Sequence, residues 1–376
     1  MTMEASDQHQ KRSARAFRNL QALPKAHLHL HLEGAMRPAT LTELCARYGM
    51  ARPADTHGKR FPHFGGFVDL YWAACQSIRR RADLARLILE VAEDAASQGV
   101  MWMEPAFDAE RYSLRRHGSP YQLFDTQEEG WLFALDAAAA AEKATGVGIG
   151  FMSAVDRIAP LEQALARAEV TARLVRSQQH LIQGGMPCYQ DQHAGIVAFG
   201  LHGNEEGFPP APFADVFRVA RHGTDLLSTP HAGEIAPFPG QGPVSVAAAI
   251  EHLGAHRILH GVLAVQDPAL VARLARDHIC LDVCPSSNVQ LSVVPSIAAH
   301  PLPRLLAAGV PCSLGSDDPL LFGPSLLDEF RVCRERMGLS DAHLAAMARA
   351  SFAYSGAPPA VKAAGLAGVE AWLASG

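Results

Sequence analysis

Residues Lys25 to Gly34 read KAHLHLHLEG. The strict alternation has a period of two, which an extended strand uses to send alternate side chains to opposite faces. His27, His29, His31 and Glu33 then share one face, and Leu28, Leu30 and Leu32 the other. Such a strand needs an apolar layer behind the leucines and an enclosed polar space in front of the imidazoles. A barrel strand supplies both, with helices packed outside and a site inside. Strands rise about 3.3 Å per residue, so His29 and His31 lie about 6.6 Å apart along the chain, near enough to converge on one ion. His27 and His31, about 13 Å apart, cannot comfortably do so. Barrel active sites lie at the C-terminal strand ends. This selects His29 and His31 as ligands, His27 as a deeper residue and Glu33 as a group at the pocket rim.

The rest of the 376 residues repeats a strand-then-helix rhythm. Short apolar runs predict strands at Ala26–Leu32, Val100–Glu104, Val147–Ala154, Ile196–Gly200, Leu226–Ala232, Arg257–His260, Cys280–Cys284 and Pro311–Ser316. Alanine-rich amphipathic stretches between them predict helices, among them Phe67–Ile78, Asp83–Gln98, Asp125–Thr145 and Ala159–Leu181. Parallel βαβ units follow, and eight such strands close into a (β/α)8 TIM barrel with its metal site at the C-terminal strand ends. An open doubly wound sheet usually brings a glycine-rich phosphate loop, and neither GxGxxG nor GxxxxGK[ST] is present. The expected organisation is a frayed tail over residues 1–20 and a single barrel domain over 21–376. Longer connections at Gly34–Gly66 and Phe107–Phe124 are placed to cover a site.

Composition narrows the function classes. A net charge of -5 without a basic stripe argues against a nucleic-acid or anionic-membrane partner. The seven cysteines are scattered without a CxxC, which argues against a disulfide framework and suggests a reducing compartment. The polar N-terminal stretch lacks a signal-peptide core, and no run of about 18 apolar residues suggests a membrane span. A cytoplasmic protein is expected.

Further stretches end later strands with matching chemistry. TPHAGE carries His231 and Glu234, RILHG carries His260, CPSSN follows, and SLGSDDP carries Asp317 and Asp318. Three imidazoles and a carboxylate around one barrel mouth fit one divalent ion, with zinc favoured. A free carboxylate beside it suits proton transfer.

These residues resemble the adenosine deaminase family of the metal-dependent amidohydrolases, from LPKAHLHLHLEGA through GLHGNE, HAGE, RILHG and CPSSN to SLGSDDP. The resemblance implies one Zn2+ per chain, bound by His29, His31, His231 and Asp317. It implies that Glu234 protonates purine N1 and that His260 orients the attacking hydroxide and stabilises its charge. Asp317 would serve catalysis as well as ligation, and His31 would flank the substrate. Asp318 would hydrogen-bond N7, the Gly203 N–H would contact N3, and Glu33 would stand near the ribose. The implied partner is a small aminopurine, most readily adenosine, with adenine or aminodeoxyfutalosine as alternatives. Two departures bear on that choice. Glu33 replaces the aspartate of adenosine-specific enzymes, and MEPAFDAERY lacks their arginine-containing motif.

Other chemistries fit less well. Binuclear amidohydrolases carry a carboxylated lysine after strand four, and the five lysines (11, 25, 59, 143 and 362) all lie elsewhere. Cytidine-type deaminases need PCxxC, which is missing. A non-catalytic binding barrel would have no use for the intact ligands and Glu234.

Overall fold

Each apolar run expected as a strand is extended in the computed structural model. The structure describes residues 17–61, 64–113, 122–183, 194–236, 238 and 240–375. The strands are β1 (Lys25–His31), β2 (Val100–Phe107), β3 (Gly148–Asp156), β4 (Gly195–His202), β5 (Leu227–Ser228), β6 (His231–Ala232), β7 (Arg257–His260), β8 (Cys280–Val283) and β9 (Cys312–Leu314). All pair in parallel, in sequence order, as a five-stranded and a four-stranded sheet. β5 and β6 occupy the single strand expected at Leu226–Ala232. Pro230 between them has no N–H to give the ladder. The Thr229 N–H still donates to Phe199 O, and the Pro230 carbonyl accepts from the Leu259 N–H, so the two sheets run on into one another. At the other seam, Leu30 bridges Asp317. The His31 N–H donates to Asp317 O at 3.1 Å and the Asp317 N–H to His29 O at 3.2 Å. The chain is thus an α/β barrel whose closing seam runs through proposed site residues.

The leucines of β1 are all buried in the main core, as their face requires. Inside the barrel the side chains form layers. Lys25 is fully buried at the base, and its ammonium donates to the carbonyls of Leu20, Leu23 and Gln98 at 2.5–2.8 Å. Above it, Arg257 pairs with Glu104 at 2.7 Å and Asp282 at 2.8 Å, and all three side chains are 0% exposed. The remaining acceptors are also used: Glu104 takes the Trp102 and Gly356 N–H groups, and Asp282 takes the Ser313 hydroxyl. A small apolar layer follows, of Ala106, Met152, Ala198 and Leu259. The histidines stand above that.

The helices at Leu326–Glu335, Asp341–Ala353 and Pro359–Ala374 were not anticipated. Alanine-rich sequences in the second and third give little contrast between faces. Ser351 accepts the Ala26 N–H, so the second of them fastens the first strand. The tail expected over residues 1–20 lies mostly outside the described residues. Its last part is held: Arg18 pairs with Asp341, Asn19 O accepts from Trp372, and Leu20 is buried. No helix among the described residues is long and apolar enough to cross a membrane.

Candidate active site

His29 and His31 reach the barrel mouth from β1, His231 from β6, and Asp317 from the turn after β9. Ligand atoms of His29, His31 and His231 lie within 4.8 Å of one another, as do those of His31, Asp317 and Asp318. His29 Nε2 is 3.4 Å and His31 Nε2 3.3 Å from the same Asp317 oxygen, Oδ1. The other Asp317 oxygen accepts from the Ser287 hydroxyl at 2.7 Å. The outward nitrogens fix the tautomers. His29 Nδ1 donates to Asp282 O at 2.8 Å, and His231 Nδ1 donates to Leu201 O at 3.0 Å. Each Nε2 lone pair therefore faces the cluster, in the arrangement that orients metal-binding imidazoles. His29 Nε2 is buried without a hydrogen-bond partner. A lone pair facing a carboxylate oxygen calls for a cation between them. Burial, reinforced by the His29 and His31 rings, keeps His231 well below the usual imidazole range and so neutral. The donor set fits a divalent ion of the zinc kind. His29, His260, Asp317 and Cys284 also converge, but burial holds the Cys284 thiol far above its usual range.

The polarity of His260 can be derived from its neighbours. The Leu302 N–H donates to His300 Nδ1 at 3.1 Å, so the ring proton of His300 sits on Nε2. That proton goes to Asn288 Oδ1 at 3.2 Å. The Asn288 amide then donates to His260 Nδ1 at 3.1 Å. His260 must therefore carry its proton on Nε2, 3.2 Å from Glu234 and 3.8 Å from Asp317. It is set up as a donor toward the pocket, not as a base. His260 and Asp317 both hold left-handed backbones, with φ of 64° and 59°.

His300 also makes an acid-stability prediction. Burial lowers its pKa from 6.5 to about 4. The unfolded chain takes up this proton first as pH falls, so stability is present above pH 6.5 and is lost between 6.5 and about 4. The loss should approach roughly 3 kcal/mol. Urea denaturation at pH 7, 5.5 and 4.5 checks it: His300→Gln should show a shallower decline than wild type, and equal slopes would refute the assignment.

Glu234 is buried beside His260, and burial, then Asp317 and Glu205, push its carboxyl well above the usual range. Glu205 fixes its loop, accepting the N–H groups of Gly233, Glu234 and Ile235 at 2.7–2.9 Å. Both Asp318 oxygens are buried without a partner, and a Cβ on Gly34 would lie 1.7 Å from one of them. Only glycine leaves room there. Gly203 has φ 92° and lies over Asp156, where a Cβ would approach an oxygen to 2.4 Å.

One pocket of about 590 Å³ is lined by His31, His231, Glu234, His260, Asp317, Asp318 and Gly203 together. Glu33 is not in its wall. The carboxylate is 1% exposed and accepts from Tyr112 at 2.7 Å and Tyr71 at 3.1 Å, because the chain turns into a short 3-10 helix at Glu33–Ala35 instead of continuing the strand. His27 is deeper, as expected, and its Nε2 accepts the Ser316 N–H. Among the wall residues that sequence reasoning missed are Tyr71, Trp72, Arg111 and His202. His202 had a signal, since it ends β4 as His260 ends β7. The other three lie on connections whose paths sequence alone does not give.

The adenosine deaminase family model matches residues 24–372. A protein named putative adenosine/adenine deaminase from Streptomyces coelicolor is 38% identical over 370 residues, covering 95% of this chain and 98% of its own. An aminodeoxyfutalosine deaminase from Acidothermus cellulolyticus is 34% identical, covering 85% of each. Among solved structures, the adenine deaminase from Arthrobacter aurescens superposes with a TM-score of 0.77 at 28% identity, covering 94% of this chain and 99% of that one.

Proposed function

The chain belongs to the adenosine deaminase family and is a hydrolytic aminopurine deaminase, and from that premise we propose that its substrate is a 6-aminopurine nucleoside, adenosine in the simplest case, deaminated with one zinc ion bound. The observation carrying the choice of a nucleoside over a free base is the extent of the pocket. Besides the ligand cluster and Glu234 its wall includes Tyr71, Trp72 and Arg111, side chains left over once the ligands, Glu234, Asp318 and Gly203 are assigned to the base. The relatives named above support the reaction class, with adenosine, adenine and aminodeoxyfutalosine among their named substrates.

In this reading His29, His31, His231 and Asp317 hold the ion. When bound it would supply Lewis acidity, lowering the pKa of water toward about 7. The protein's own groups do the rest. Asp318, with two unpartnered oxygens, meets N7, and the Gly203 N–H meets N3. Glu234 gives a proton to N1, which lets the ring accept electrons as oxygen adds to C6. His260, donating through Nε2, stabilises the charge on that oxygen. The C6–N bond then breaks, the amine takes a further proton and leaves as ammonia, and the 6-oxo purine remains. Glu33 acts indirectly, by holding the tyrosine wall.

An ammonia-release assay with purified protein tests the assignment. Adenosine should show a higher kcat/KM than adenine, and Glu33→Ala should lower kcat/KM for adenosine more than for adenine. A preference for adenine would sink the nucleoside reading and leave the chemistry standing. No ammonia from any 6-aminopurine would sink both.

A further inference from the structure

Arg111 lies in the segment after β2 that departs from the family pattern, on a short helix at Glu110–Ser113. It is 5% exposed and lines the substrate pocket. Its guanidinium lies over the rings of Trp72, at 4.6 Å, and Tyr71, at 5.2 Å. Its one hydrogen bond among the described residues runs from Nη1 to the Cys75 sulfur, and Nε is buried with no partner. The acids around it are used elsewhere. Asp108 and Glu110 both pair with Arg167. Glu33 is taken by the two tyrosine hydroxyls. Asp156, on the same pocket wall, accepts from the Ile158 N–H and makes no ion pair with Arg111 within 4.0 Å.

The contrast with the other buried arginines is informative. Arg257 and Arg167 each have two carboxylates, and Arg157 donates to the carbonyls of Phe208 and His231. A buried cation is costly unless paired. A guanidinium keeps its charge under all ordinary conditions and presents a fork matched to oxyanions. Here the fork is packed between aromatic rings and open toward a substrate pocket. Tyr71 neighbours both His31, at 6.0 Å between rings, and Arg111, so the cation shares the pocket yet stands apart from the ligand cluster.

We propose that Arg111 anchors an anionic group, a carboxylate or a phosphate, carried by the substrate on the side away from its 6-amino group. This rests on the deaminase reading and sharpens it: adenosine is the minimal substrate, and an anion-bearing nucleoside is the better one. Charge-assisted hydrogen bonds of this kind correspond to about 10–100-fold in affinity.

The test uses the full-length, zinc-loaded protein. Ammonia release is measured for adenosine, adenosine 5′-monophosphate and adenosine 5′-carboxylate. Calorimetric binding is measured in parallel for inosine and its 5′-phosphate and 5′-carboxylate. In wild type at least one anionic compound should exceed its neutral parent by about 10–100-fold in kcat/KM and in affinity, and the better of the two identifies the anion. Arg111→Met should remove most of that ratio, and Arg111→Lys should restore part of it. Equal use of neutral and anionic compounds by wild type would overturn the proposal without any variant. A ratio that survives in a folded Arg111→Met protein would do the same. Absence of ammonia from all three compounds would instead strike the deaminase reading, while the calorimetric ratio still reports on Arg111.

Discussion

Glu234→Gln is expected to lower turnover of the best 6-aminopurine substrate by about 10²–10⁴-fold, the usual contribution of a general acid–base group. The substitution is nearly isosteric. His260 Nε2 can still donate to the amide oxygen across the 3.2 Å contact, and the Glu205 carboxylate still holds the loop through backbone N–H groups. Metal content and unfolding midpoint should therefore match wild type. What is lost is a proton that can be given to N1. Metal analysis with steady-state kinetics on both proteins decides it. Near-wild-type turnover would mean that the proton reaches N1 from another group, and the role assigned to Glu234 would be withdrawn.

Arg257→Met should destabilise the barrel by about 3–5 kcal/mol, because removing one partner of a buried ion pair strands the other charge. Here two carboxylates would be stranded, Glu104 and Asp282, both fully buried. The Tyr354 carbonyl would lose its donor as well. The triple replacement Glu104→Gln, Arg257→Met, Asp282→Asn should be less destabilised than Arg257→Met alone, since no net charge is left in the interior. Urea unfolding of the single and triple variants tests this. A single variant within 1 kcal/mol of wild type would show that the network carries little of the barrel's stability.

Much of this was legible in the sequence because chemistry at strand ends leaves compact local motifs. The period of two in β1 reports both the buried leucines and the inward histidines, and HAGE, RILHG and SLGSDDP each carry their functional group within a few residues of a strand. What stayed hidden depends on contacts distant in the chain. Glu33 looked like a rim group because the alternation was carried one residue too far, past the turn that places it beneath Tyr71 and Tyr112. Glu205 was within a motif already noted, yet its grip on the HAGE loop joins residues 28 or more apart. Asn288 closes the CPSSN stretch already noted, yet its link to His300, which sets the polarity of His260, leaves no local pattern. The last two C-terminal helices escaped for a different reason, since alanine-rich helices show weak periodicity even when well packed.

The left-handed backbone at His260 and Asp317 has a consequence for how such a protein can change. Residues other than glycine held there each cost about 1–3 kcal/mol. Glycine, which adopts the conformation freely, would relieve the strain and delete the side chain proposed to act there. Natural drift toward sturdier variants is therefore blocked at these two positions. A thermally hardened lineage would have to accumulate its gains in the surrounding helices, leaving two stiff, slightly unfavourable hinges of backbone at the barrel mouth as a record of the chemistry it kept.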